Sequence, residues 1–465
     1  MAIQPKKIPI QEQAASIRRT NFLEVCQGYN EAEAVAEARR CLQCKHAPCI
    51  PGCPVGIDIP AFIKCIAEQD YLGAIKKLKE KNNLPAICGR VCPQETQCEG
   101  PCTLGKKYEP IAIGKLERFA ADWEIQNLPN IITDTVSQNG NNKKVAVVGS
   151  GPAGLTAAAD LARLGYGVSL FEALHEPGGV LIYGIPEFRL PKSILSREVQ
   201  YVQKLGVDIH TSTIIGVTLT IEDLVDRGFN AVFIGTGAGL PYFLNIPGEN
   251  YNGVYSANEF LTRVNLMRAY QFPNYSTPIR AGQQVAVIGA GNTAMDAARS
   301  ALRLGAKEVT IVYRRSFEEM PARIEEVHHA EEEGIQFKIL TAPVAILGNN
   351  QGWVAGLRCQ QMQLGEPDSS GRRRPVPIKG AVFEMEIDTL INAIGQGPNP
   401  LLQRYTPGLN VDKYGRIVVN PQTFQTSIPS VYAGGDIATG EGTVIAAMGN
   451  AKVAACSIDE YLKNC

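Results

Sequence analysis

Apolar positions follow two different rhythms along this chain. Residues 1 to about 125 carry helix-spaced stretches, IPAFIKCIAEQDYLGAIKKLKEK and IAIGKLERFAADWEI, with no alternating strand pattern. That spacing predicts a small α-helical domain over 1–125. The polar stretch ITDTVSQNGNNKK reads as a linker, placed at 126–143. From Lys144 the rhythm changes to short β-branched runs, each followed by a helix rich in small residues. KKVAVVGSGPAGLTAAADLARLGYGVSLFEA reads as strand, glycine turn, helix and second strand. QQVAVIGAGNTAMDAARSALRLGAKEVTIVYRR repeats that unit. Two copies of a βαβ unit imply two nucleotide-binding domains rather than a solenoid. Later, VYAGGDIATGEGTVIAAMGNAKVAA adds a strand, a glycine turn and a helix. PIKGAVFEMEIDTLINAIGQGP reads as a strand pair leading back into the first domain. The fold class is therefore α/β with an N-terminal α-helical domain and one βαβ domain inserted in another. The host occupies 144–280 and 385–465, the insert 281–384.

Bulk properties narrow the class without changing this picture. A chain of 465 residues exceeds one hydrophobic core, so two to three domains are expected. A net charge of −1 gives no reason to expect nucleic acid or an anionic membrane as partner. Neither a signal-peptide pattern nor an apolar run of ~18 residues is present. A cytoplasmic location is the expectation.

Cysteine changes the picture most. Of thirteen cysteines, ten lie between Cys26 and Cys102. The spacings are Cys41-x2-Cys44-x4-Cys49-x3-Cys53-Pro and Cys88-x3-Cys92-Pro-x4-Cys98-x3-Cys102. In a reducing compartment such grouping favours metal over disulfides. Runs of closely spaced cysteines with Cys-Pro steps suit iron–sulfur clusters, and eight thiols would serve two. Structural zinc is the competing reading. Cys26 and Cys65 read as core residues, and Cys359, Cys456 and Cys465 carry no assignment.

The two βαβ units differ where a ligand would meet them. In the first, Gly149-x-Gly151-x-x-Gly154 follows a strand and opens a helix, enclosing Pro152 and Ala153. Glu172 ends the next strand, where a carboxylate can accept the ribose hydroxyls. In the second, Gly289-x-Gly291-x-x-Ala294 holds Asn292 and Thr293, and its second strand ends in Arg314 and Arg315. Guanidinium groups there suit a 2′-phosphate, so NADP(H) is favoured over NAD(H). Gly435 and Asp436 follow a strand, and Thr443 precedes an Ala-rich helix; an Asp there suits a ribityl chain. FAD is thus assigned to the first unit, with Gly179, Thr236 and Gly237 counted in its site. His328 and His329 read as exposed helix positions, and GRRRP at 371–375 as a turn. Arg189 and Lys192 fall in a segment bordering the flavin.

Across nearly its whole length the chain resembles the glutamate synthase small (beta) subunit family. That family includes the large subunit of the electron-bifurcating NADH-dependent ferredoxin:NADP oxidoreductase (Nfn), the sulfide dehydrogenase alpha subunit and the N-terminal part of dihydropyrimidine dehydrogenase. The resemblance is carried by RCLQCKHAPCIPGCPVGIDIPAFI, LPAICGRVCPQETQCEGPC, AIGKLERF, GSGPAGL, PGGVLIYGIPEFRLPK and GGD. It implies a glutathione-reductase-like pair of Rossmann-like domains and an NADP-dependent FAD/iron–sulfur oxidoreductase with two 4Fe-4S clusters. It assigns Cys41, Cys44, Cys49 and Cys102 to one cluster, and Cys53, Cys92, Cys98 and Glu117 to the other, leaving Cys88 out. No side chain is assigned a catalytic role, since the hydride chemistry belongs to the cofactors. The wording of GCPVGIDIPAFI and AIGKLERFAADW points to the bifurcating subunit, with ferredoxin and a smaller flavoprotein as partners. The alternatives are a glutamate synthase small subunit with a large FMN-containing partner, and the sulfide dehydrogenase alpha subunit. A cofactor-free scaffold is the reading outside this class.

Overall fold

The structure, a computed structural model, describes residues 4–128, 142–368, 371–440 and 442–464. Most of the expected linker, 129–141, lies outside them, as does Cys465. The N-terminal domain is built on helices Glu31–Ala38, Ile59–Ala67, Tyr71–Lys79, Pro85–Val91 and Ile113–Asn127. The first long apolar stretch divides into two helices, because Asp58 and Asp70 each cap a new start. Asp58 accepts from Ala61 N and Asp70 from Gly73 N, satisfying amides that a helix start leaves unpaired. Gln69, at φ 64°, makes the break between them. One element departs from the all-helical expectation: strands Gln11–Glu12 and Cys26–Gly28 pair antiparallel. Strands of two and three residues are too short to leave an alternation in the sequence.

Two five-stranded parallel sheets follow. The first runs in the order Val431–Ala433, Ala231–Ile234, Lys144–Val148, Gly167–Phe171, Val207–His210. The second runs Gln336–Lys338, Glu308–Val312, Gln284–Ile288, Thr389–Asn392, Val254–Ser256. The interior strands Ala231–Ile234 and Thr389–Asn392 are buried throughout, as strands covered by helices on both faces must be. The insert is wider than 281–384: Val254–Ser256 and Thr389–Asn392 both hydrogen-bond into the second sheet. Parallel pairing joins residues far apart in sequence, so linear pattern misplaced both strands. An antiparallel sheet of Thr341–Gly348, Val354–Pro367 and Arg373–Glu386 completes the insert. Gly371, at φ 78°, belongs to a turn, but Arg373 already opens a strand, so GRRRP is only partly a turn.

The cores divide unevenly. One apolar cluster runs unbroken from the N-terminal domain (Ile63, Leu78, Ile87, Leu116) into the first sheet and its helices (Ala157, Leu161, Met448, Ala451). Each such fully buried Leu or Ile stabilises the fold by ~1.5–3 kcal/mol. The second sheet has its own core of Met295, Ala298, Ile311 and Ile391. Among the described residues no helix is long and apolar enough to cross a membrane.

Candidate functional site

The glycines of the first turn hold three distinct geometries. Gly149 sits at φ 96°, and a Cβ there would meet Gly235 O at 2.6 Å. At Gly154 a Cβ would fall 1.8 Å from Gly149 O, so only hydrogen lets helix Pro152–Arg163 close on its turn. Around Gly151 nothing lies within 4 Å, leaving the helix N-terminus open to an anion. Gly178 and Gly179 lie against this turn; a Cβ on Gly179 would stand 2.8 Å from Gly151 Cα. Glu172 is buried beneath them. Its Oε2 accepts from Ser150 N at 2.9 Å and from Ser150 Oγ, and its Oε1 from Leu174 N at 2.9 Å. Ser150, which the motif treats as a free position, thus orients the carboxylate.

Sheet pairing brings the C-terminal residues to the same edge. Val431–Ala433 lies beside Ala231–Ile234, so Thr236, Gly237, Gly435 and Asp436 follow adjacent strand ends. A Cβ on Gly435 would sit 3.2 Å from Ala153 Cβ. Burial raises the Asp436 carboxyl, against the lowering effect of Gly442 N, which donates to it at 3.0 Å. Thr443 Oγ1 accepts from Ala446 N at 3.3 Å and starts helix Val444–Asn464.

The second turn has the same plan with one relaxation. A Cβ on Gly289 would meet Ala393 O at 2.4 Å, while Gly291 has only Pro321 Cγ, at 3.9 Å. Ala294 is buried at the position where the first turn demands glycine. Asn292 Oδ1 accepts from Arg323 N at 2.9 Å, tying the turn to the loop before helix Ile324–Glu332, and Thr293 opens helix Asn292–Arg303 beside it. The two arginines separate. Arg314 is exposed at the strand end, whereas Arg315 is buried and ion-paired with Asp368 at 2.7 Å. Arg315 also donates from Nε to Arg373 O, so its charge is spent inside the fold. The expectation of two phosphate-facing guanidiniums reduces to one.

The thiols form two groups. Cys41, Cys44, Cys49 and Cys102 line one pocket, walled by Leu42, Ile63 and Leu104. Cys53, Cys92, Cys98 and Glu117 make a deeper group. Burial pushes the Cys53 thiol up to about 11; Ile57 and Val55 amides oppose this, while Glu117 and Cys92 add to it. Glu117 is buried on helix Ile113–Asn127, and burial raises its carboxyl to about 8 despite the amide of Asn82, which donates at 2.6 Å. Among the described residues no cation pairs with this carboxylate, which is the environment a cationic iron would complete. Cys88 lies beside Cys92 and Asn82, with Sγ 3.5 Å from Met448 Sδ.

Other readings resolve structurally. Arg189 pairs with Asp296 at 2.7 Å and Glu326 at 2.8 Å, and Lys192 donates to the carbonyls of Leu181, Ile185 and Leu190. Both hold the PEFRLPK loop. His328 is exposed, but His329 is buried and contacts Glu12 at 3.0 Å, contrary to the exposed-pair expectation. Cys26 is not a core residue either; its Sγ lies 3.6 Å from Glu12 Oε1. Neither contact could be read from the sequence, because the partners are separated by most of the chain or by a turn with no motif. Cys65 packs partly buried against the core, Cys359 is buried, and Cys456 is exposed.

Two dinucleotide-binding domains of opposite ribose-edge chemistry, joined to a domain with converging thiols, define an iron–sulfur pyridine-nucleotide reductase. Comparison with known proteins agrees. Residues 143–452 match the pyridine nucleotide-disulphide oxidoreductase family, and residues 18–128 match dihydropyrimidine dehydrogenase domain II, 4Fe-4S cluster. The chain belongs to the pyridine nucleotide-disulphide oxidoreductases that carry this 4Fe-4S domain, together with the glutamate synthase small chains. It is 36% identical to the glutamate synthase [NADPH] small chain of Escherichia coli, over 99% of this chain and 97% of that one. It is 42% identical to the NADP(+)-dependent formate dehydrogenase subunit beta of Moorella thermoacetica, over 90% of this chain. It spans only 60% of that relative's length. The two-domain fold is also that of Mycobacterium tuberculosis FprA in complex with NADPH (TM-score 0.58, 22% identity, 70% of this chain and 85% of that chain). The protein is an NADP-dependent oxidoreductase of the FAD and 4Fe-4S class.

Proposed function

We propose that this chain is the NADP(H)-handling subunit of a larger oxidoreductase, exchanging electrons between NADP(H) and a partner protein. The observation that carries the reading is the placement of helix Val444–Asn464. It starts at Thr443, beside Gly435 and Asp436, and runs against the deeper thiol group. A Cβ on Gly449 would meet Pro54 O at 2.8 Å, next to Cys53, and Met448 touches Cys88. One rigid element therefore spans from the flavin-facing turn to the thiols. When bound, FAD supplies hydride chemistry and the clusters one-electron carriers.

The residues divide the work. Gly149, Gly151, Gly154 and the helix they open receive the FAD pyrophosphate, Glu172 its ribose, and Asp436 with Thr443 the ribityl and ring end. Gly289, Gly291, Asn292 and Thr293 receive the NADP(H) pyrophosphate, and Arg314 the 2′-phosphate. Cys41, Cys44, Cys49 and Cys102 hold one cluster. Cys53, Cys92, Cys98 and Glu117 hold the other, the one nearer the flavin.

The near-complete length match with glutamate synthase small chains favours a large FMN-containing partner of that type. The bifurcating subunit with ferredoxin and a smaller flavoprotein is the other outcome of the same experiment, co-purification from the native source. Purified protein is expected to contain ~8 iron per chain and to reduce a viologen dye with NADPH in preference to NADH. Arg314→Ala should raise KM for NADPH about tenfold, ~1.4 kcal/mol, with little change for NADH. Equal use of both nucleotides by the unmodified protein would sink the 2′-phosphate assignment.

A further inference from the structure

We propose that Glu12, Cys26 and His329 form a binding site for one divalent transition-metal ion, Zn2+ by its donor set. The site lies at the seam between the N-terminal domain and the second βαβ domain. The three residues come from three elements: Glu12 and Cys26 are paired across strands Gln11–Glu12 and Cys26–Gly28, and His329 belongs to helix Ile324–Glu332. Cys26 Sγ lies 3.6 Å from Glu12 Oε1, and His329 Nε2 lies 3.0 Å from Glu12 Oε2. All three donor atoms fall within 4.8 Å of one another. A tetrahedral ion with bonds of ~2.0–2.3 Å sets its donors ~3.3–3.8 Å apart, so small side-chain adjustments close the site.

The donor types choose the metal. Thiolate, imidazole and carboxylate together suit Zn2+, whereas Mg2+ and Ca2+ favour all-oxygen shells. The surroundings leave the fourth position to water. Glu325, a further carboxylate beside the site, is held by Lys115 at 2.6 Å and Arg323 at 2.9 Å. The Glu12 side chain is 26% exposed, which opens the site to solvent. Arg18 reaches Glu12 Oε2 at 3.4 Å but also pairs with Glu332 and Glu333, so it keeps partners when Glu12 turns to a metal. On binding, the Cys26 thiol proton leaves to solvent and a sulfur lone pair takes its place on the ion; nothing is oxidised or reduced. The ion would staple two domains that buried ion pairs already hold together.

The test loads the complete protein, with its own iron and flavin, with ZnCl2, removes excess metal, and counts zinc and iron per chain. One zinc per chain is expected in the unmodified protein, at least tenfold weaker binding in Glu12→Gln, and none in Cys26→Ser or His329→Ala, with iron unchanged in all. Zinc should also shield Cys26 from iodoacetamide, read by peptide mass. Zinc retained by both Cys26→Ser and His329→Ala overturns the proposal, as does an unmodified protein with full iron and no zinc. If the variants lose iron through misfolding, the unmodified protein decides: Cys26 alkylation at one rate with and without zinc also overturns it.

Discussion

The N-terminal domain meets the two βαβ domains by opposite physical means. Against the first it shares a continuous apolar core, and a close backbone approach at Gly449 and Pro54 needs the absence of a side chain. Against the second, where Phe22 also packs on the core, it relies on buried charge. Arg18 reaches Glu333, which also binds Arg299 and Arg303 from its own domain, and Lys115 pairs with Glu325. Arg299 and Arg303 lie over the ring of Phe188, so the loop from the first domain joins the same knot. Apolar burial is non-directional and tolerates small shifts, whereas paired buried ions hold one geometry and lose heavily when a partner is removed. The contact between the thiols and the first βαβ domain is thus built as one body, and the second βαβ domain is attached to it by a specific clasp.

The sharpest way to break this contrast is Glu333→Gln, which removes the carboxylate that Arg18, Arg299 and Arg303 share. A loss of ~3–5 kcal/mol is expected. Hydrogen exchange should quicken in the 324–333 segment while iron and flavin contents hold. Equal loss of iron would mean the two seams are not independent. Acid probes the same clasp. Burial alone would raise the Glu333 carboxyl, but the Arg303 and Arg299 guanidiniums outweigh it and hold it at about 2. Its folded value is depressed below an unfolded one near 4.5, so its contribution is complete above pH 4.5. That contribution, up to ~3 kcal/mol, is lost as pH falls towards 2. Melting curves between pH 5 and 3 should fall more steeply in the unmodified protein than in Glu333→Gln; parallel slopes would assign the acid sensitivity elsewhere. Gly449→Val attacks the other seam by forcing a side chain against Pro54 O, at ~1–3 kcal/mol. Here iron and flavin should fall while exchange in 324–333 stays slow. The smallest effect is expected from Lys115→Met, which removes a partly buried ion pair worth ~1 kcal/mol; Arg323 still holds Glu325. A larger drop in melting temperature would show that Lys115 does more than pair.

Local pattern carried far in this chain. Both βαβ units, the small-residue helices and the grouped cysteines were legible because their causes are short-range: strand periodicity, tight turns needing glycine, and thiols close in sequence. The misplacements share one cause. Val254–Ser256 and Thr389–Asn392 look like parts of the host domain until parallel pairing assigns them to the insert. Arg315 looks available at its strand end until Asp368 claims it, and His329 looks exposed until a strand from the other end of the chain covers it. Ser150 gave no signal, since any small residue fits between the first two glycines, yet it orients Glu172.

The sequence by itself determined the kinds of chemistry present: two glycine turns with opposite charge at their ribose edges, and two runs of thiols. These are local, because a turn or a short run positions its own atoms. Tertiary structure alone decided which charges stay available, which strands share a sheet, and that helix Val444–Asn464 lies between the turn at Gly435 and Asp436 and Cys53. Those outcomes depend on burial and on contacts between residues hundreds of positions apart, and no local pattern records who will cover whom.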